Sequence, residues 1–195
     1  MKELLFVTSN KGKVASLQKR LDESKFKITQ IELDLPELQR DCAKDISLEK
    51  AKAAFEIIEK PLIVQDSSFH IRSLNGFPGA YIKYALKTIG LEGILKLLEG
   101  IEDRRAYAEG ALTYIEDEKH FWTFSNQSSD GTISTEIREG NSEESWSELW
   151  KILIPNGFDK TFSELTKKEL DAKQKSGKST SEFRQFAEWL EANKI

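Results

Sequence analysis

The chain has 195 residues, enough to bury a sizeable core and few enough that one domain is the expectation. Its net charge of -4, from 29 basic and 33 acidic side chains, lacks the basic footprint of a general nucleic-acid binder. A single cysteine, Cys42, excludes an intrachain disulfide and a zinc-thiolate site, and two histidines, His70 and His120, argue against a multi-histidine centre; a metal here would be hard and carboxylate-bound, with Mg²⁺ the first choice.

In chain order, Leu4–Val7 reads as a buried strand that ends in the polar turn Thr8-Ser9-Asn10-Lys11-Gly12-Lys13. A helix follows, with Val14, Leu17 and Leu21 at helical spacing over about three turns. Such a strand-to-helix turn presents backbone N–H groups and a helix N-terminus, and Lys11 and Lys13 add positive charge, so the turn is a seat for phosphate oxygens. Phe26, Ile28 and Ile31 predict a second strand, stopped by Pro36, which leaves Glu37 on a loop or a new helical turn. Ser47 is the expected N-cap of a helix carrying Leu48, Ala51, Phe55 and Ile58. Leu62-Ile63-Val64 is expected as a short buried strand that delivers Asp66 to its C-terminal end.

Strand, helix, strand, helix, strand predicts an α/β sheet, in which ligands gather beyond the carboxyl ends of strands. Both the turn and Asp66 fall there. Asn75–Gly79 is a turn cluster, followed by helices through Tyr84–Leu86 and Ile94–Leu98. Ala106–Ile115 and Phe121–Ser125 alternate as a hairpin, and residues 125–145 read as loops around one strand near Thr132–Ile137. A last helix carries Phe183, Phe186, Ala187 and Leu190 on one stripe. Ser176-Gly177-Lys178-Ser179-Thr180 resembles the end of a P-loop, but Ala172 stands where the motif needs glycine and no buried strand precedes it. Trp146, Trp150 and Trp189 are expected in core or interface, and both histidines in structural roles. With no membrane-length apolar run and a strand rather than a leader at the start, a cytoplasmic chain with no membrane partner is expected.

Each candidate has an ordinary explanation taken alone: Asp66 as a turn cap, Glu37 as a helix start after proline, Lys50 and Lys83 as solvated lysines. Their joint order says more. Five segments, Phe6-Val7-Thr8-Ser9-Asn10-x-x-Lys13, Asp34-Leu35-Pro36-Glu37-Leu38-Gln39, Ile46-Ser47-Leu48-Glu49-Lys50, Asp66-Ser67 and Gly76-Phe77-Pro78-Gly79-Ala80-Tyr81-Ile82-Lys83-Tyr84, together resemble the inosine triphosphate pyrophosphatase family. The resemblance implies an elongated α/β fold of residues 1–195, one domain of two lobes, with a long mixed sheet flanked by helices and a cleft between the lobes. It also implies a homodimer and hydrolysis of non-standard purine nucleoside triphosphates to monophosphate and pyrophosphate, a house-cleaning of the nucleotide pool. Thr8, Ser9, Asn10 and Lys13 would cradle phosphates, with Lys13 also counted as catalytic. Asp66 would be the general base, Glu37 and Asp66 would hold Mg²⁺, and Lys50, Ser67 and Lys83 would contact substrate.

Three departures from the family's pattern stand beside the match. The base-pocket segment aligns with Ser147-Glu148-Leu149-Trp150-Lys151, so Trp150 replaces its aspartate; no Ser-His-Arg signature occurs in residues 173–184; and Gln65 takes the place of an acidic residue before Asp66. They motivate an alternative, a degenerate nucleotide-binding paralogue acting as a sensor or partner subunit.

Overall fold

A computed structural model describes residues 2–35, 40, 42–140, 147–176 and 181–193, the side chains of residues 128, 129 and 173–176 excepted. In chain order come β1 (Lys2–Val7), α1 (Lys11–Gln18), β2 (Phe26–Ile31), α2 (Ala43–Ile58), β3 (Leu62–Ile71) and β4 (Pro78–Gly79). They are followed by α3 (Ile82–Thr88), α4 (Gly90–Leu97), β5 (Arg105–Ile115), β6 (Phe121–Ile133), β7 (Leu153–Pro155), α5 (Lys167–Ser176) and α6 (Glu182–Ala192). The expected α/β class is borne out, as a mixed open sheet flanked by helices. The chain divides into two compact units, residues 1–67, 109–126 and 180–195 in the first, and 68–108 and 127–179 in the second.

In the first unit the strand order is β2-β1-β3-β5-β6, and β1 runs parallel to both of its neighbours. Period-two alternation sorts the side chains between two layers. Leu4, Phe6, Ile63, Leu112 and Tyr114 join Leu17 and the α6 residues Phe183, Phe186 and Leu190 in one core. Val7, Leu62, Val64 and Ile115 join Ala51 and Ala54 of α2 in the other. The expected stripe on α6 is therefore a true core face: Phe186 and Leu190 are fully buried, and complete burial of such side chains contributes about 1.5–3 kcal/mol each.

Several local expectations need correction. The first helix has eight residues, shorter than three turns. Its sister α2 begins at Ala43, four residues before Ser47, which is fully buried within the helix. Ser47 Oγ lies 3.0 Å from the Lys44 carbonyl and 2.9 Å from Thr113 Oγ1, so its hydroxyl is satisfied without capping anything. Strand β3 has ten residues, and Asp66 lies in its middle rather than at its end. The decisive edge is instead that of β1, whose register with β3 stops at Val7 opposite Val64. Gln65 and Asp66 therefore project just past the end of β1, beside the turn that follows it.

In the second unit β4 pairs antiparallel with the distal part of β3, and β7 with the end of β6. Strand β6 continues through residues 125–133, the first part of the stretch expected as loops, and residues 134–137 of the strand expected there lie outside it. Ile71, Ile94, Leu98, Ile133 and Ile152 form a core in which the Arg104 guanidinium donates to the carbonyls of Leu98, Ile133 and Ser134 at 2.6–2.8 Å. The Asn75–Gly79 turn is as expected, with Asn75 and Gly76 at φ 51° and 88°. Among the described residues no helix is long and apolar enough to cross a membrane.

Candidate active site

The turn after β1 is built by its own polar residues. Asn10 N–H donates to Thr8 Oγ1 at 3.1 Å, and Asn10 Oδ1 accepts from the N–H groups of Gly12 (2.8 Å) and Lys13 (3.3 Å). Asn10 is thus the N-cap of α1. An anion seated here would compete with its carboxamide oxygen for two of the helix's amides. Gln30 Nε2 donates to the Thr8 carbonyl at 2.9 Å and ties the turn to β2. Ser9 and Lys11 are exposed, Thr8 and Lys13 half-buried.

Lys13 folds back over the end of β1, its Nζ donating to the main-chain oxygen of Gln65 at 3.1 Å. This contact brings the cationic turn to the residue next to Asp66. Asp66 itself is held from two sides: Oδ1 accepts from the Ser67 N–H at 2.8 Å, and Oδ2 accepts from Lys50 Nζ at 2.7 Å. One turn from buried Ser47, Lys50 reaches Asp66 because α2 packs on the face of β3 that holds Leu62 and Val64. Thr8, Asn10, Lys13, Lys50, Asp66 and Ser67 are in this way joined in the first unit. Lys83 belongs to the second, exposed on α3. Glu37, Trp146 and residues 177–180 of the P-loop-like segment lie outside the described residues.

Neighbours on a strand face opposite sides. Gln65 accordingly points away from Asp66, toward α6, where its Nε2 donates to Glu182 Oε1 at 3.1 Å. Both partners are buried, 8% and 7% exposed. Burial pushes the Glu182 carboxyl above its ordinary range, against the opposing pull of its own backbone N–H, Gln65 and the charges of Arg20 and Lys13. Sequence reasoning missed Glu182, which follows the N-cap Ser181 and looks like an ordinary helix start. The available signal was an uncharged, buried amide at position 65, which needs a polar partner from somewhere.

Trp150 and Trp189 are packing residues, as expected: Trp150 lies 5.3 Å from the Phe162 ring, and Trp189 4.6 Å from that of Trp122. His70 stacks on Tyr107 at 4.8 Å and shares a 2.8 Å hydrogen bond with Ser68 Oγ. His120 pairs with Asp117 in the hairpin turn, at 2.8 Å.

A parallel βαβ core, with a capped cationic turn and a carboxylate beside the end of its first strand, defines an α/β protein. The chain belongs to the Ham1 family, whose sequence pattern matches residues 4–186. It is 36% identical over 190 residues to a dITP/XTP pyrophosphatase of Thermococcus kodakarensis, covering 97% of this chain and 98% of the relative. With a protein of the same name from Pyrococcus horikoshii it shares 39% identity over 196 residues, 98% of each chain. The fold is that of the Staphylococcus aureus Ham1 protein, with a TM-score of 0.79 at 20% identity over 98% of this chain and all of that one. The resemblance drawn from the motifs is borne out.

Proposed function

We propose that this chain is a nucleoside triphosphate pyrophosphatase, a hydrolase that adds water across the α–β phosphoanhydride to give a monophosphate and pyrophosphate. Relatives named dITP/XTP pyrophosphatase, similar over nearly the whole chain, support the reaction and its house-cleaning role, and favour it over a binding-only paralogue. The observation that carries it is the 3.1 Å bond from Lys13 Nζ to the Gln65 carbonyl, which brings the cationic turn beside Asp66.

Phosphoryl chemistry needs positioning and charge neutralisation more than covalent participation by the protein. Thr8, Ser9, Asn10 and Lys13 are assigned to the phosphates, Ser67 and Lys50 to phosphate or substrate, and Lys83 to substrate on the resemblance alone. Asp66 is assigned as the base that orients and deprotonates the attacking water. An arriving triphosphate offers Lys50 a second anionic partner, which frees Asp66 Oδ2 for that work. The carboxylate of Asp66 is a hard oxygen donor, which fits Mg²⁺ held by one or two carboxylates, waters and substrate oxygens. Asp66 would hold the ion, together with Glu37 on the resemblance. Bound Mg²⁺ supplies neutralisation of phosphate charge.

The base is expected to be a non-standard purine, in the cytoplasm. A homodimer is proposed with it, in keeping with the exposed Phe77, Tyr81, Tyr84 and Ile89 of residues 77–89.

The test is pyrophosphate release with Mg²⁺ from standard, deaminated and modified nucleoside triphosphates, with both products identified. Equimolar monophosphate and pyrophosphate from deaminated purines is the expected result. Folded protein that binds these nucleotides without turnover would return the choice to the binding-only paralogue.

A further inference from the structure

Glu182 is a carboxylate 7% exposed at the start of α6, bonded to the side chain of Gln65 across 117 positions of sequence. Gly110 on β5 makes room for it: a Cβ there would lie 2.5 Å from Glu182 Oε1 and 2.8 Å from Oε2. Gln65 also accepts Lys13 Nζ on its main-chain oxygen. One residue of β3 therefore links the cation of the turn, through its main chain, to the buried carboxylate, through its side chain. Lys13 from α1 and Arg20 from the turn after it act on Glu182 electrostatically. Arg184, on α6 itself, acts on Arg20, and Gly110 contributes no side chain. Gln65 Oε1 is buried without a hydrogen-bond partner among the described residues. A carboxylate buried against an amide is costly where an apolar or amide side chain would serve, and such groups gather at functional sites.

We propose that Glu182 is a positioning residue of the phosphate site, an acidic counterweight to Lys13 that takes up a proton when a phosphate anion binds. Resting on the function proposed above, this gives the pair a defined role. When ionised, Glu182 draws on the field of Lys13; when protonated, it leaves that field to the phosphates. Anion binding and proton binding then strengthen each other by the same factor, as linkage requires. Above the titration of Glu182 the grip on free pyrophosphate, a product that has to leave, is loosened.

The experiment is calorimetric titration of the full chain with inorganic pyrophosphate and Mg²⁺ from about pH 5 to 8, a range that spans perturbed carboxyl titrations. Wild type, Glu182→Gln and Arg20→Gln are compared. Titration of pyrophosphate itself is common to all three, so ratios of Kd isolate the protein group. Glu182→Gln is expected to match wild type at the acid end and bind about tenfold tighter at the alkaline end, one pK unit of coupling being a factor of ten. Arg20→Gln is expected to move the wild-type inflection to higher pH, because Arg20 draws the carboxyl toward its ionised form. Parallel profiles, or weaker binding by folded Glu182→Gln at every pH, overturn the proposal and leave Glu182 a structural staple. If that variant does not fold, an unmoved inflection in Arg20→Gln overturns it independently. No pyrophosphate binding by folded wild type at any pH sinks the phosphate-site function and the counterweight with it. Failure of the counterweight alone leaves binding intact and the profiles parallel.

Discussion

Lys50 Nζ and Asp66 Oδ2 meet at 2.7 Å, a contact from α2 to β3 in which both side chains are largely removed from solvent, 16% and 19% exposed. A pair this shielded is not a surface decoration. Its members lose more when one is removed than an exposed pair does, because the survivor is left charged and partly desolvated.

Replacement of Asp66 by Asn keeps the shape and removes the base and its charge. Turnover is expected to fall by about two orders of magnitude, the usual scale for a lost general base. Steady-state pyrophosphate release, with circular dichroism to verify folding, checks this; undiminished turnover by the folded variant rules Asp66 out as the base.

Lys13→Ala removes a charged donor from the phosphate turn. Hydrogen bonds to charged groups contribute about 1.5–3 kcal/mol, so kcat/KM is expected to fall roughly 10- to 150-fold. Lys13→Arg should recover part of the loss, since the charge returns with different geometry. A kcat/KM within twofold of wild type in Lys13→Ala would show that the turn does not hold phosphate.

Tyr114 is 1% exposed, and its hydroxyl is buried without a hydrogen-bond partner among the described residues. Burial, with a lesser push from Glu116, raises its phenol from 10.0 to about 12. Tyr114→Phe removes a desolvated polar atom and is expected to stabilise the fold by about 1 kcal/mol, the scale of an unmade hydrogen bond. The pH dependence follows in sign. Because the folded phenol holds its proton longer than the unfolded one, its contribution is complete below pH 10.0 and lost as pH rises toward about 12. Thermal melts of both proteins through that window should show wild type falling faster; parallel curves would contradict the buried-phenol account.

Gly140 has no room for a side chain, because a Cβ would run into the backbone carbonyl of Ser163. Backbone does not rotate away as a side-chain tip does, so Gly140→Ala is expected to destabilise by about 1–3 kcal/mol or more. Gly100 has φ 72°, but a Cβ added there would meet nothing within 4 Å, so Gly100→Ala should cost only left-handed backbone strain, about 1–2 kcal/mol. Urea denaturation of the two variants compares the mechanisms, and a smaller loss for Gly140→Ala would refute the steric one.

Local chemistry made much of this protein legible before any coordinates. A continuous apolar run marked β1, spaced apolar residues marked β2 and the hairpin, the stripe on α6 marked its buried face, and the Thr8–Lys13 turn with Asp66 marked the candidate site. These are short-range signals: side-chain period, turn propensity and charge within a few positions. Ser47 misled because serine before an apolar run is the pattern of an N-cap, whereas packing of α2 against β5 gave its hydroxyl a partner in Thr113, 66 positions away. The extent of β3 was equally hidden, since Gln65, Asp66 and Ser67 interrupt its apolar run.

By its own order of residues the chain determined its α/β class, its family and the approach of a cationic turn to a carboxylate. The tertiary structure alone decided which way the neighbours Gln65 and Asp66 face, that Lys50 grips one, and that Glu182 meets the other. The physical reason is that strand alternation puts adjacent side chains in different layers, and each layer is completed by a different helix, α2 for Asp66 and α6 for Gln65. The partner that satisfies a buried polar group is then set by packing, and no local pattern encodes it.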